Sequence, residues 1–166
     1  RKGRLVKTGL GLGKIGQIAK VNHQASKLVG TGAHPMGLYG ASGFGIPLAD
    51  IWKLRSQVGH ASGIGGQASC ATTRILISMG LDKDPHFVYL QNLLADFYTL
   101  WKGHLDLRDG IQKFWIRARH RAITTPTTKW AQACGMAAAF VNSLSDIGWL
   151  ALSPTCLVVP DGRKWY

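Results

Sequence analysis

The strongest constraint on the fold lies in the middle of the chain. Asp84 is a helix-capping residue type, Pro85 suits a first helical position, and Phe87, Leu90, Leu94, Phe97, Tyr98 and Trp101 follow as one apolar stripe. A helix running from there to about Lys102 needs other elements to cover its apolar side. The flanking sequence supplies them. Ile15, Ile18, Ala19, Val21, Ala25, Leu28 and Val29 repeat at helical spacing until Gly30-Thr31-Gly32, and Pro47 opens a second helix through Leu48, Ile51, Trp52 and Val58 to about Gly59. Thr72 to Met79 makes a short helix that Gly80 ends.

Beyond the central helix, another starts near Leu107, turns Ile111, Phe114, Trp115 and Ala118 inward, and ends in Arg117, Arg119, His120 and Arg121. Thr125-Pro126 opens a last helix that runs through Trp130, Cys134, Ala138 and Val141 to Ile147. Leu157-Val158-Val159, Pro160-Asp161-Gly162 and Arg163 to Tyr166 then spell strand, turn and strand. The expected fold class is mainly α, with about five to six helices and a short β-hairpin at the C-terminal edge. A glycine-punctuated arm is expected over residues 1–14, a helical body over 15–152 and the strand-turn-strand over 153–166. Residues 33–45, rich in glycine, are expected to form an extended link or a packed turn, and residues 61–69 a loop of small side chains.

Charge is distributed as unevenly as hydrophobicity. The first 27 residues hold seven bases (Arg1, Lys2, Arg4, Lys7, Lys14, Lys20, Lys27), and no acid occurs before Asp50. Twenty Lys and Arg face eight Asp and no Glu, for a formal net charge of +12. Such a balance attracts polyanions, phosphate backbones first and anionic membrane surfaces second. A second basic group, Arg117, Arg119 and Arg121, has a plain structural explanation as favourable charge near a helix C-terminus. The N-terminal group has none, because its members repel one another until a polyanion relieves them. No run of about eighteen apolar residues exists to span a membrane.

Catalytic and cofactor motifs fare poorly. Gly11-x-Gly13-x-x-Gly16 spells the dinucleotide fingerprint, but no strand pattern precedes it and no acid follows to hold a ribose. Lys14 is followed by Ile15, which excludes a phosphate-cradling loop of the nucleotidase type. The six histidines are scattered, and Cys70, Cys134 and Cys156 lie far apart, so neither a metal site nor a disulfide framework is expected. Gly40-Ala41-Ser42-Gly43 lacks the flanking strand and helix of a nucleophile elbow. Cys70, among small residues, fits packing better than nucleophilic attack. Asp82 and Asp84 are close in sequence, but capping explains Asp84 better than two-metal chemistry does. No active site and no cofactor are expected in the chain.

Laid out in this order, the chain resembles the segment that follows the polymerase palm in LINE-type (non-LTR) retroelement reverse transcriptases, those of dinoflagellates in particular. The resemblance runs through Ala25 to Gly40, where a basic helix leads to Pro35 and Tyr39-Gly40, and through Ile46-Pro47 to Leu54-Arg55. It continues in Leu81 to Trp101, in Ile147-Gly148-Trp149, and in Val158 to Trp165. It implies a thumb and connection that grips the template–primer duplex, RNA–DNA or RNA. The palm with its Tyr-x-Asp-Asp motif would lie upstream and a nuclease domain downstream in one polyprotein, since both ends of this chain read as cuts. The parent would be an RNA-directed DNA polymerase acting in cytoplasm or nucleus, and no catalytic residue carries over. The nucleic-acid contacts expected are Arg1, Lys2, Arg4, Lys7, Lys14, Lys20 and Lys27, with Arg117, Arg119 and Arg121 as a second group. The competing expectation is a stand-alone basic RNA-binding or ribosome-associated protein.

Overall fold

The structure is a computed structural model that describes residues 2–64 and 70–166. It is mainly α with a small antiparallel sheet at its C-terminal end, as expected from the sequence. The chain divides into two compact units. The first comprises residues 1–39 and 49–89, the second residues 40–48 and 90–166.

The first unit begins with a helix where the sequence suggested an arm. α1 (Lys2–Ala19) is continuous through five glycines. Thr8, Leu12 and Ala19 are buried along one side, and Gly16 lies against the end of α4 (Leu48–Ala61). A Cβ at position 16 would stand 3.2 Å from Ala61 Cα, so the glycine permits an approach that a side chain would crowd. Gly16 was misread as flexibility because close backbone approach leaves no apolar period in the sequence. After α1 the chain does not continue as one helix to Gly30. It breaks into a 3₁₀ turn (His23–Lys27) capped by Asn22, whose side chain accepts a hydrogen bond from the Gln24 amide at 3.0 Å. A π-helical turn (Val29–Ala33) leads into α2 (His34–Leu38), where an extended link or a packed turn was expected.

α5 (Ala71–Ser78) ends as the amides of Met79 and Gly80 both reach the Ile75 carbonyl, and Gly80, with a φ of +87°, then turns the chain off the helical path. α6 (Pro85–Gly103) then starts as its sequence signals said. Asp84 Oδ1 accepts from the His86 amide at 2.8 Å and the Phe87 amide at 3.3 Å. Tyr89 is the last residue of α6 in the first unit.

The second unit holds α3 (Ala41–Phe44), the rest of α6, α7 (Arg108–Thr124), α8 (Gly135–Asp146) and the sheet. Its centre is aromatic: Phe97, Trp115 and Phe140 have ring centroids 4.5 to 5.3 Å apart. The buried line of α6 is Tyr89, Leu93 and Phe97, rotated from the expected stripe, so Phe87, Leu94 and Tyr98 face outward. Apolar residues nearly encircle this helix, and its spacing alone does not select a face. On α7, likewise, Trp115, Ala118 and Ala122 are buried while Phe114 is exposed.

The expected helix from Thr125 to Ile147 is half turn and half helix. Residues 126–132 fold back along α8, and tertiary bonds hold them there. Lys129 Nζ lies 2.6 Å from Asp146 Oδ1, Trp130 Nε1 donates to Asp146 Oδ2 at 3.0 Å, and Asn142 Nδ2 donates to the Lys129 carbonyl at 3.2 Å. The expected hairpin is present as β2 (Cys156–Val158) and β3 (Lys164–Trp165), with Leu157 opposite Trp165 and Val158 opposite Lys164. A further strand, β1 (Leu150–Ser153), pairs antiparallel with β2 and is tied to α7 by Trp115 Nε1, which donates to the Ala151 carbonyl at 3.0 Å.

Candidate nucleic-acid interface

Helix geometry sorts the N-terminal cations. With Thr8, Leu12 and Ala19 turned inward, Lys7 and Lys14 are left exposed. Seven residues bring a helix back to nearly the same face, so the two amines project from one stripe about 10 Å apart along the axis. Lys20, just past the end of α1, and Lys27, at the end of the 3₁₀ turn, are also exposed. None of these four forms an ion pair with a described residue. Arg4 is occupied differently: its guanidinium donates to the Tyr39 carbonyl at 2.7 Å and lies 5.3 Å from the centroid of the Tyr39 ring. Arg1 and the side chain of Lys2 lie outside the described residues, as do residues 65–69 of the expected small-residue loop.

The net charge follows the same division. The first unit carries eleven Lys and Arg against three Asp, the second nine against five. The excess that would draw a polyanion is therefore greater in the first unit.

In the second unit the structure separates the three arginines. Arg117 and Arg121, one helical turn apart, line a cavity of about 120 Å³ with Phe114, Lys129 and Asn142. Arg117 lies 5.9 Å from the Phe114 ring centroid, and Arg121 Nη1 donates to the Gln132 carbonyl at 3.4 Å. Arg119 points elsewhere and donates to the Leu152 carbonyl of β1 at 3.4 Å. Lys129 was not foreseen. It is buried, donates to Ser145 Oγ at 3.0 Å and is neutralised by Asp146, whereas Arg117 and Arg121 have no carboxylate partner among the described residues. The three-residue pattern held part of this signal, because residues 117 and 121 share a helix face and residue 119 does not.

Four of the eight Asp side chains are held in ion pairs. Asp84 pairs with Arg55, Asp146 with Lys129, Asp82 with Lys83 and Asp161 with Arg163. No group of three or more His, Cys, Asp and Glu side chains among the described residues is placed to hold a metal ion. No helix among them is long and apolar enough to cross a membrane. Cys70 departs from the packing role expected of it. It is exposed at the start of α5, where the amides of Thr73 and Thr72 bring its thiol down to about 7. Comparison with protein-family models, with curated proteins and with solved structures found no match for the chain.

Proposed function

We propose that this chain is a non-catalytic segment that grips a nucleic-acid duplex through phosphate contacts. The observation that carries the reading is the exposed series Lys7, Lys14, Lys20 and Lys27, which have no ion-pair partner among the described residues and precede every Asp in the sequence. Ammonium groups held this way satisfy backbone phosphates at little desolvation cost, and they position a duplex without reading its sequence. Arg117 and Arg121 supply a second, smaller contact. The commitment of four of the eight Asp to ion pairs supports a binding role over carboxylate chemistry. The resemblance drawn from the sequence extends the proposal to the thumb and connection of a LINE-type reverse transcriptase, with a template–primer duplex as the ligand.

The test is the salt dependence of binding to an RNA–DNA duplex, followed by fluorescence anisotropy. Affinity falls by about 0.9 log units per log of salt for each phosphate neutralised on a B-form duplex. Neutralising Lys14, Lys20 and Lys27 together (each Lys→Gln) lowers that slope by roughly two to three. An unchanged slope removes these residues from the interface. Tight preference for one folded RNA over any duplex would favour the stand-alone RNA binder instead.

A further inference from the structure

The second unit contains a groove that the phosphate contacts do not use. It has a volume of about 550 Å³ and runs between α6 and the β2–β3 hairpin. Its floor includes the buried Phe97 and Phe140, and its walls carry Tyr98, Trp101, Trp165 and Tyr166. Tyr98 is 58% exposed and Trp165 59%, so large aromatic faces stand open to water where the sequence pattern had assigned Tyr98 to the core. One cation, Lys102, lines the groove, and no Asp is among its lining residues. Lys102 Nζ sits 4.7 Å from the Tyr98 ring centroid, and Arg108 lies 5.0 Å from that of Trp101 while donating to the Trp101 carbonyl.

We propose that this groove binds unpaired nucleobases of single-stranded RNA or DNA. An apolar slot of this volume falls in the range of pockets that take small planar ligands, roughly 300–1,000 Å³. Its lining selects among them. Aromatic rings offer stacking faces to any base, and the lysine at the rim meets the phosphate that every base in a strand carries. Paired bases are already stacked inside their duplex and cannot enter. A greasy peptide would fill the slot equally well but would leave Lys102 without a counter-charge. The proposal rests on the reading of the chain as a nucleic-acid binder and adds a ligand class, single strands, that the lysine series does not distinguish.

The experiment measures binding of a labelled oligouridylate and of a labelled RNA–DNA duplex to the full chain. It compares the wild type with Tyr98→Ala, Trp165→Ala and Trp165→Phe, and includes the Lys14, Lys20, Lys27 triple variant. Both ring positions are exposed, and circular dichroism confirms that each variant is folded. Each alanine variant is expected to weaken oligouridylate binding at least about fivefold and to leave duplex binding unchanged, while Trp165→Phe restores most of the loss. An undiminished affinity for oligouridylate in both alanine variants overturns the groove assignment. So does equal weakening on both ligands. Dimerisation of the wild type that Trp165→Ala abolishes would give the groove to a second copy, and capture of an apolar peptide without oligouridylate binding would give it to a protein partner. Loss of duplex affinity in the triple lysine variant tests the phosphate reading separately, so the two proposals fail independently.

Discussion

Arg55 and Asp84 join α4 to the start of α6 through one carboxylate with two duties. Arg55 Nη2 lies 2.6 Å from Asp84 Oδ2, while Asp84 Oδ1 caps the helix through the amides of His86 and Phe87. Asp84 is 1% exposed, so neither oxygen is compensated by water if its partner is lost. Asp84→Ala is expected to cost about 3 kcal/mol or more, since it strands Arg55 and uncaps α6 together. Asp84→Asn keeps the capping oxygen and should recover about 1 kcal/mol of that loss. Urea unfolding of the two variants separates the duties. Equal destabilisation would show that the cap contributes nothing.

His34 makes the fold sensitive to mild acid. Burial, and after it the nearby Lys83, pushes this imidazole down from 6.5 to about 4, although Asp84 and Asp82 pull the other way. Its Nε2 has no hydrogen-bond partner among the described residues, so a proton there would be buried without an acceptor from them. The unfolded chain therefore binds the proton more readily than the folded one between pH 6.5 and 4. The stability His34 contributes is complete above pH 6.5 and is lost as pH falls towards 4, by on the order of 3 kcal/mol. Thermal melts across that window should show the loss, and His34→Gln should flatten it. A parallel decline in both proteins would assign the sensitivity to other groups.

Two glycines one turn apart in α1 should respond oppositely to alanine. A Cβ at Gly13 meets nothing within 4 Å, so Gly13→Ala gains helix propensity of up to about 1 kcal/mol and raises the melting temperature by a few degrees. Gly16→Ala forces a Cβ against the Ala61 backbone, and the same intrinsic gain is offset or reversed. If both substitutions left the melting temperature unmoved, α1 would not be a packed helix.

The arginines of α7 should divide along the line the structure draws. Replacing Arg117 and Arg121 together with Gln is expected to lower the salt slope of duplex binding by up to about two, because both line one cavity and have no carboxylate partner among the described residues. Arg119→Gln should leave that slope alone, since its guanidinium is turned onto the Leu152 carbonyl. An Arg119 variant that reduced the slope as much as the pair would mean that all three meet phosphate.

Punctuation was legible in the sequence wherever it acts over a few residues. Asp84-Pro85 opens α6, Gly80 closes α5, and Pro160-Asp161-Gly162 turns β2 into β3, because capping and turn geometry are settled by neighbours along the chain. The concentration of cations before Asp50, with no acid among them, was equally plain, since charge is additive and needs no fold. Tertiary structure decided the rest. Gly16 suits α1 because a Cβ there would crowd the Ala61 backbone at 3.2 Å, and residues 126–132 leave the helical path because Asp146 binds both Lys129 and Trp130. Tyr98 faces a groove because Tyr89, Leu93 and Phe97 are the α6 side chains drawn into the core. In each case partners far away in sequence choose between conformations that local propensity leaves nearly equal in energy.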